Sequence, residues 1–322
     1  MTALYITIDT EYSFGLARQM GGGGRAENFA SAIIGTTPSG PRGVHYQMDQ
    51  FDAHGIKAVF FVDPMPALVW GTAAIADVVG PITARGHDVQ LHLHSEWLEL
   101  AGSANPLGTC TGGNLREFGF EQQCTLIDYA RGVLIAAGAP APVAFRAGNY
   151  GANDDTLRAL GELGIGYDTS HCPGIAASEC RISLGAQDRR VQRHSGTIEV
   201  PIGCIGAGAG TLRHYQLTAL TSAELLAALR HAVRCGQQQV TLVSHSFELL
   251  SRDRQRANRI VQRRFERLCA GIGQVPELTS ATYADCPPQI EAVAPIPLPH
   301  SPLRTLRRMA EQALGNALYG AK

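Results

Sequence analysis

HDVQLHLHSEW, residues 87–97, alternates apolar and polar side chains and then abandons the pattern. In an extended chain successive side chains point to opposite faces, so Val89, Leu91 and Leu93 share one face and Gln90, His92 and His94 the other. Two imidazoles then project together from the end of a strand. A turn into helical conformation after His92 brings the Glu96 carboxylate onto the His92 side instead. Either geometry offers imidazole nitrogens and a carboxylate oxygen. Those donors suit a divalent zinc, cobalt, iron or manganese ion with positions left open for water and substrate.

The same design recurs on both sides of this stretch. LYITI at 4–8, IKAVFFV at 56–62, VAFR at 143–146, IGYD at 165–168, TIEV at 197–200 and QVTLVSH at 239–245 also read as strands. GVHYQMDQFDAHG, CTLIDYARGVLIAAG, NDDTLRALGELG and SAELLAALRHAVRCG lie between them with helical spacing. Short apolar strands separated by helices predict a parallel sheet covered by helices. Six strand ends carry groups capable of chemistry: Asp9, Asp63, His92 with His94, Arg146, Asp168 and His245. A barrel brings all such ends to one mouth, whereas a doubly wound sheet gathers ligands near its switch point. So many competent ends favour the barrel.

The chain has 322 residues, 45% hydrophobic and 17% charged, with a formal charge of -1, which supplies no field to concentrate nucleic acid or an anionic membrane. No basic segment followed by an apolar run opens the sequence, and no apolar stretch reaches the ~20 residues of a membrane span, so the cytoplasm is the expected location. Eight cysteines at 110, 124, 172, 180, 204, 235, 269 and 286 contain no CxxC pair and are expected as free thiols. Residues 1–285 are expected to form one barrel with long mouth loops, and 286–322 a proline-containing linker and a peripheral helix. Glycine-rich 16–43 is expected to be a long loop over the mouth. GCIGAGAG at 203–210 either approaches a ligand closely or turns the chain.

In ITIDTE, period-two alternation puts Asp9 and Glu11 on one side, where they can supply a base and a ligand beside the histidines. Arg146 ends an apolar strand and needs a carboxylate partner such as Asp9. His245 is placed to protonate a leaving group, with Asp168 to raise its basicity. His171 lies in a proline-containing loop and is less constrained. The remaining histidines lie in turn, helix or linker contexts and are given no ligand role.

Taken in order, TIDTE, GHDVQLHLHSEW, FRAGNYG, YDTSH and LVSHSFE resemble the five motifs of polysaccharide deacetylases of the NodB-homology, or carbohydrate esterase family 4, type, over roughly residues 4 to 250. The wording is most similar to cytoplasmic members associated with surface-polysaccharide biosynthesis, which read TxDxE and HLHxEW. The resemblance implies a distorted (β/α)7 barrel and metal-assisted removal of an acyl group, acetyl first, from an amino sugar of a polysaccharide or its precursor. It implies Asp9 as base, Arg146 as the group that orients it, His245 as general acid and Asp168 as the acid's partner. His92 matches the first metal histidine. Thr10 stands where the family has its metal aspartate, and Glu96 where it has the second histidine, so Glu11, His94 and Glu96 are the candidates to complete the site. Zinc is the first expectation for the ion. Substrates are then N-acylated sugars, glycans or sugar nucleotides, with oligomerisation left open. The alternatives are metal-free hydrolysis of a small amide or cyclic ureide in the same barrel, and a glycan-binding barrel without turnover.

Overall fold

A computed structural model describes residues 1–320. Its strands are β1 (Thr2–Thr10), β2 (Val59–Val62), β3 (Asp88–Leu93), β4 (Ala144–Ala147), β5 (Tyr167–Asp168), β6 (Gln192–His194), β7 (Thr197–Glu199), β8 (Cys204–Gly208), β9 (Thr211–His214), β10 (Gln239–His245) and β11 (Leu278–Ser280). The main sheet runs β10-β1-β2-β3-β4-β5-β7-β6, with β11 also on β1, and only the β6–β7 pair is antiparallel. It is an open, curled sheet, not the closed barrel that the sequence led us to expect. After β7 the chain passes through Pro201, which has no N–H to donate, and then into the separate β8–β9 hairpin. Where a closing ladder would run, Gly203 N–H donates to Thr241 O and Val243 N–H to Tyr215 O, both at 2.9 Å.

Alternation along the strands sorts the two faces. Leu4, Ile6 and Ile8 of β1, Phe60 and Val62 of β2, and Val89, Leu91 and Leu93 of β3 face the covering helices, where they join one large apolar core. Helix Val44–Ala53 contributes Met48 and Phe51 to that core, and helix Thr72–Ala84 contributes Ile75, Val79 and Ile82. The opposite, inner face is filled low down by Tyr5, Phe61 and Tyr283, whose rings pack at 5.3 and 5.9 Å. The next residues along that same face are Thr7, Asp9 and Glu11 on β1 and its extension, and His92 on β3 with His94 just past its end. An aromatic plug therefore sets the floor beneath the polar strand ends.

One expectation changes, one alternative is decided, and two helices are added. Residues 16–43 are not a long irregular loop, because helices Phe14–Gln19 and Arg25–Asn28 and a wider turn at Phe29–Ile33 occupy them. Gly21, Gly22 and Gly24 take positive φ only at the joint between those helices. Buried Asn28 pins the insertion by accepting from Ser13 N–H and donating to Ser13 O, each at 2.8 Å. GCIGAGAG turns the chain as the β8–β9 hairpin. Helix Arg259–Ile272 and helix Thr72–Ala84, the latter with Pro81 inside it, were not legible as helices. The C-terminal helix Pro302–Tyr319 docks through buried Arg308 on Glu224 and through Arg264 on Glu311 at 3.0 Å. All eight cysteines are free, and among the described residues no helix is long and apolar enough to cross a membrane.

Candidate active site and metal centre

Glu11, His92 and His94 each bring a donor atom within 4.8 Å of the others at the carboxyl ends of β1 and β3. Glu11 Oε2 lies 2.5 Å from His94 Nε2 and 3.4 Å from His92 Nε2. That oxygen is buried and accepts no well-directed hydrogen bond. The outer nitrogen of each ring is engaged. His92 Nδ1 lies 2.7 Å from Arg146 O, which can only accept, so this nitrogen carries the proton and Nε2 is left with its lone pair. His94 Nδ1 lies 2.7 Å from Glu96 Oε2. A buried carboxylate oxygen and two imidazole nitrogens held from behind by acceptors form a cluster that can coordinate a divalent metal.

Glu96 is therefore behind His94, not among the three converging donor atoms. The chain leaves β3 at Leu93 and enters a 3-10 turn at Ser95–Glu99, so the helical conformation starts after His94 and not after His92. That two-residue delay puts Glu96 on the far nitrogen of His94. Asn149 Nδ2 donates to its other oxygen at 3.3 Å. Gly148 gives the His94 ring its room, since a β-carbon there would lie 2.7 Å from the ring's Cγ. Asn149 and Tyr150 follow at φ 55° and 57°, a strained pair at the site's edge. Burial disfavours charge on His94, but Glu11 and Glu96 raise its pKa well above the ordinary value. Burial also opposes ionisation of Glu11, and the two histidines reverse that and hold it well below the usual carboxylate range.

Beside this cluster, fully buried Arg146 donates to Asp9 Oδ1 at 2.5 Å, to Thr7 Oγ1 at 2.9 Å and to Thr169 O at 3.2 Å. Its guanidinium also lies 4.5 Å from the Phe61 ring centre. The unpaired guanidinium that the sequence posed as a problem thus has its carboxylate, and Asp9 Oδ2 is left facing His245 Nε2 at 3.9 Å. On the other side of the imidazole, Nδ1 lies 3.6 Å from Glu248 Oε1 and 3.4 Å from Gln216 Nε2. Burial would lower the His245 pKa, but Glu248, Asp9 and Glu11 together lift it from 6.5 to about 9.

Asp168 is not part of this row. The strand register aligns it with Leu91 and Phe145, whose side chains face the helices, and with Glu199. Its oxygens accept from Ser170 N–H at 2.9 Å and Ser170 Oγ at 2.8 Å. Burial pushes the Asp168 carboxyl up, and burial together with the neighbouring Asp168 charge pushes Glu199 well above the ordinary value. The partner of His245 is Glu248, three residues along in HSFE, which sequence reasoning passed over. Its one readable signal was an acid at i+3 from a strand-end histidine. Glu248 is fixed by Ser244 Oγ at 2.6 Å and Thr218 Oγ1 at 2.9 Å. Asp63 supports the histidines from β2: its Oδ1 accepts from His94 N–H at 3.3 Å, and burial raises its pKa to about 6. His171 is fixed elsewhere, with Nε2 near Gly185 O and Asp188 O.

No family model and no curated protein sequence matches the chain. Among solved structures it is similar to a candidate polysaccharide deacetylase from Mycobacterium smegmatis, with a TM-score of 0.55 and 16% identity over 93% of this chain and 94% of that one. It is also similar to a family 4 carbohydrate esterase from Streptomyces lividans, solved with acetate, with a TM-score of 0.48 and 11% identity over 92% and 98% of the two chains. A 4-alpha-glucanotransferase from Thermococcus litoralis reaches a TM-score of 0.46 and 11% identity, over 88% of this chain and 38% of that one. The first of these likenesses shows a shared fold. What the site does rests on its own residues.

Proposed function

We propose that the chain is a hydrolase that removes an N-acyl group, acetyl first, from an amino-sugar residue of a polysaccharide or its precursor, with a divalent ion, zinc first. The observation that carries this reading is the meeting of three metal-type donor atoms, a carboxylate–guanidinium pair and an imidazole at one end of one sheet. An ion held by Glu11, His92 and His94 would supply a Lewis acid for the acyl oxygen. Asp9 is the base that takes a proton from the attacking water. Arg146 holds one Asp9 oxygen and so aims the other toward the cleft. His245, kept in its imidazolium form by Glu248 and Asp9, gives a proton to the departing amine. Glu96 and the Arg146 carbonyl fix which nitrogen of each histidine faces the ion.

Support comes from the order of the five motifs and from the fold shared with the Mycobacterium smegmatis protein, itself described as a deacetylase on assignment. Metal analysis of the purified protein, coupled to a screen for amine and acetate release from N-acetylated sugars and sugar nucleotides, tests the reading. About one divalent ion per chain and release that stops on chelation are expected. Full activity after exhaustive metal removal would overturn the metal assignment and favour the metal-free amide hydrolase. Asp9→Asn is expected to lower kcat at least about 100-fold. Unchanged turnover in that variant would overturn the base.

A further inference from the structure

We propose that Arg254 receives an anionic substituent, a phosphoryl or carboxylate group, on the sugar that occupies this cleft. The inference rests on reading the cleft as an amino-sugar site and names the substrate class within it. His245, Phe247 and Arg254 stack outward in a row, the two rings 5.3 Å apart at 34° and the guanidinium 4.1 Å from the Phe247 centre. The row leads from the proposed acid, which lines the cleft, to the Arg254 cation two contacts away.

The turn that presents Arg254 is built for it. A bridge between Leu250 and Ala257 closes the loop. Within it Ser251 Oγ donates to Asp253 Oδ1 at 2.6 Å and accepts from Arg256 N–H at 3.0 Å, and Gln255 N–H donates to the same Asp253 oxygen at 3.0 Å. These bonds hold Arg254 at φ 58°, a conformation that a side chain of this size adopts only where its surroundings impose it.

Arg254 lacks the carboxylate that the three buried arginines have, and among the described residues shares that lack with half-buried Arg213. Arg146 is paired with Asp9, Arg264 with Glu311 and Arg308 with Glu224. Among the described residues no carboxylate lies within ion-pair distance of the Arg254 guanidinium. Glu248 is taken by Ser244, Thr218 and Gln216, and Glu11, whose charge Arg254 senses, is taken by the two histidines. A partly buried guanidinium over an aromatic face, with its planar fork unfilled, suits a two-oxygen anion supplied from outside.

Calorimetric titration of the metal-loaded full chain with three probes tests this: N-acetylglucosamine 1-phosphate, N-acetylglucosaminuronate and neutral methyl N-acetylglucosaminide. The native protein is expected to bind at least one anionic probe about tenfold or more tightly than the neutral one. The probe that gains tells a phosphoryl source from a carboxylate source. Arg254→Ala is expected to erase the gain with the neutral probe within about twofold, and Arg254→Lys to restore part of it. Equal affinity of the native protein for all three probes, no measurable binding of any, or a preference that survives Arg254→Ala would each overturn the proposal. Where Arg254→Ala fails to fold, Arg254→Lys decides, since an anion preference undiminished in that variant overturns the proposal. Anion-selective binding without amine release would sink the hydrolase reading and leave Arg254 standing. Amine release with no anion preference would do the reverse.

Discussion

Replacing Glu248 with glutamine removes one negative charge from behind the His245 ring and nearly preserves its shape. Glu248 Oε1 lies 3.6 Å from His245 Nδ1 and favours the charged ring both as an acceptor beside that nitrogen and through its charge. With Asp9 and Glu11 it outweighs burial and lifts the imidazole from 6.5 to about 9. At roughly 1.4 kcal/mol per unit this amounts to about 3 kcal/mol of preference for the charged ring. Because the folded value lies above the unfolded one, that stabilisation is complete below about pH 6.5 and is lost as pH rises through about 9. On the mechanism proposed above, the same ionisation is expected to set the alkaline limb of activity, since only the imidazolium can protonate the amine. In Glu248→Gln the alkaline limb of kcat/KM is expected to fall by about one pH unit or more, and the loss of stability with rising pH to begin earlier. Amine release measured from neutral to alkaline pH, beside denaturant unfolding at the same pH values, reads both effects. Asp168→Asn is the comparison and should leave the limb in place. An unmoved limb in Glu248→Gln together with a lowered one in Asp168→Asn would refute this account of the acid.

Two further outcomes are expected. Glu96→Gln removes the charged acceptor behind His94 Nδ1 and should weaken divalent-ion binding about 10- to 100-fold, read by competition with a chromogenic chelator. Unchanged affinity would show that Glu96 does not orient the ring. Arg146→Met leaves the Asp9 carboxylate buried without its cation and should lower unfolding stability by about 3–5 kcal/mol in urea titration. A loss within the error of that titration would mean that the pair is not sheltered in solution.

Legibility followed local period. The seven strands read from the sequence are all present, and so are the helices with clean 3.6-residue spacing, because each buries a face that its own residues define. Thr72–Ala84 was missed because Pro81 interrupts its pattern, and Arg259–Ile272 because five charged side chains dilute its apolar stripe. The insertion at 16–43 was misread because several glycines in a row hid two short helices on either side of one joint.

The sequence by itself determined that Asp9 with Glu11, and His92 with His94, project from one face of a strand end wherever the chain stays extended that far. Strand periodicity is local, and two residues always return to the same side. Tertiary structure decided which of those groups meet. The parallel β1–β2–β3 register brings Glu11 to the two histidines, and the turn after Leu93 carries Glu96 behind His94. The two-residue strand β5 puts Asp168 in the row beside Phe145 and Glu199, while the turn after β10 gives His245 its own acid in Glu248. Register between strands and the residue at which a strand ends are set by packing across the whole sheet, and no single segment contains that information.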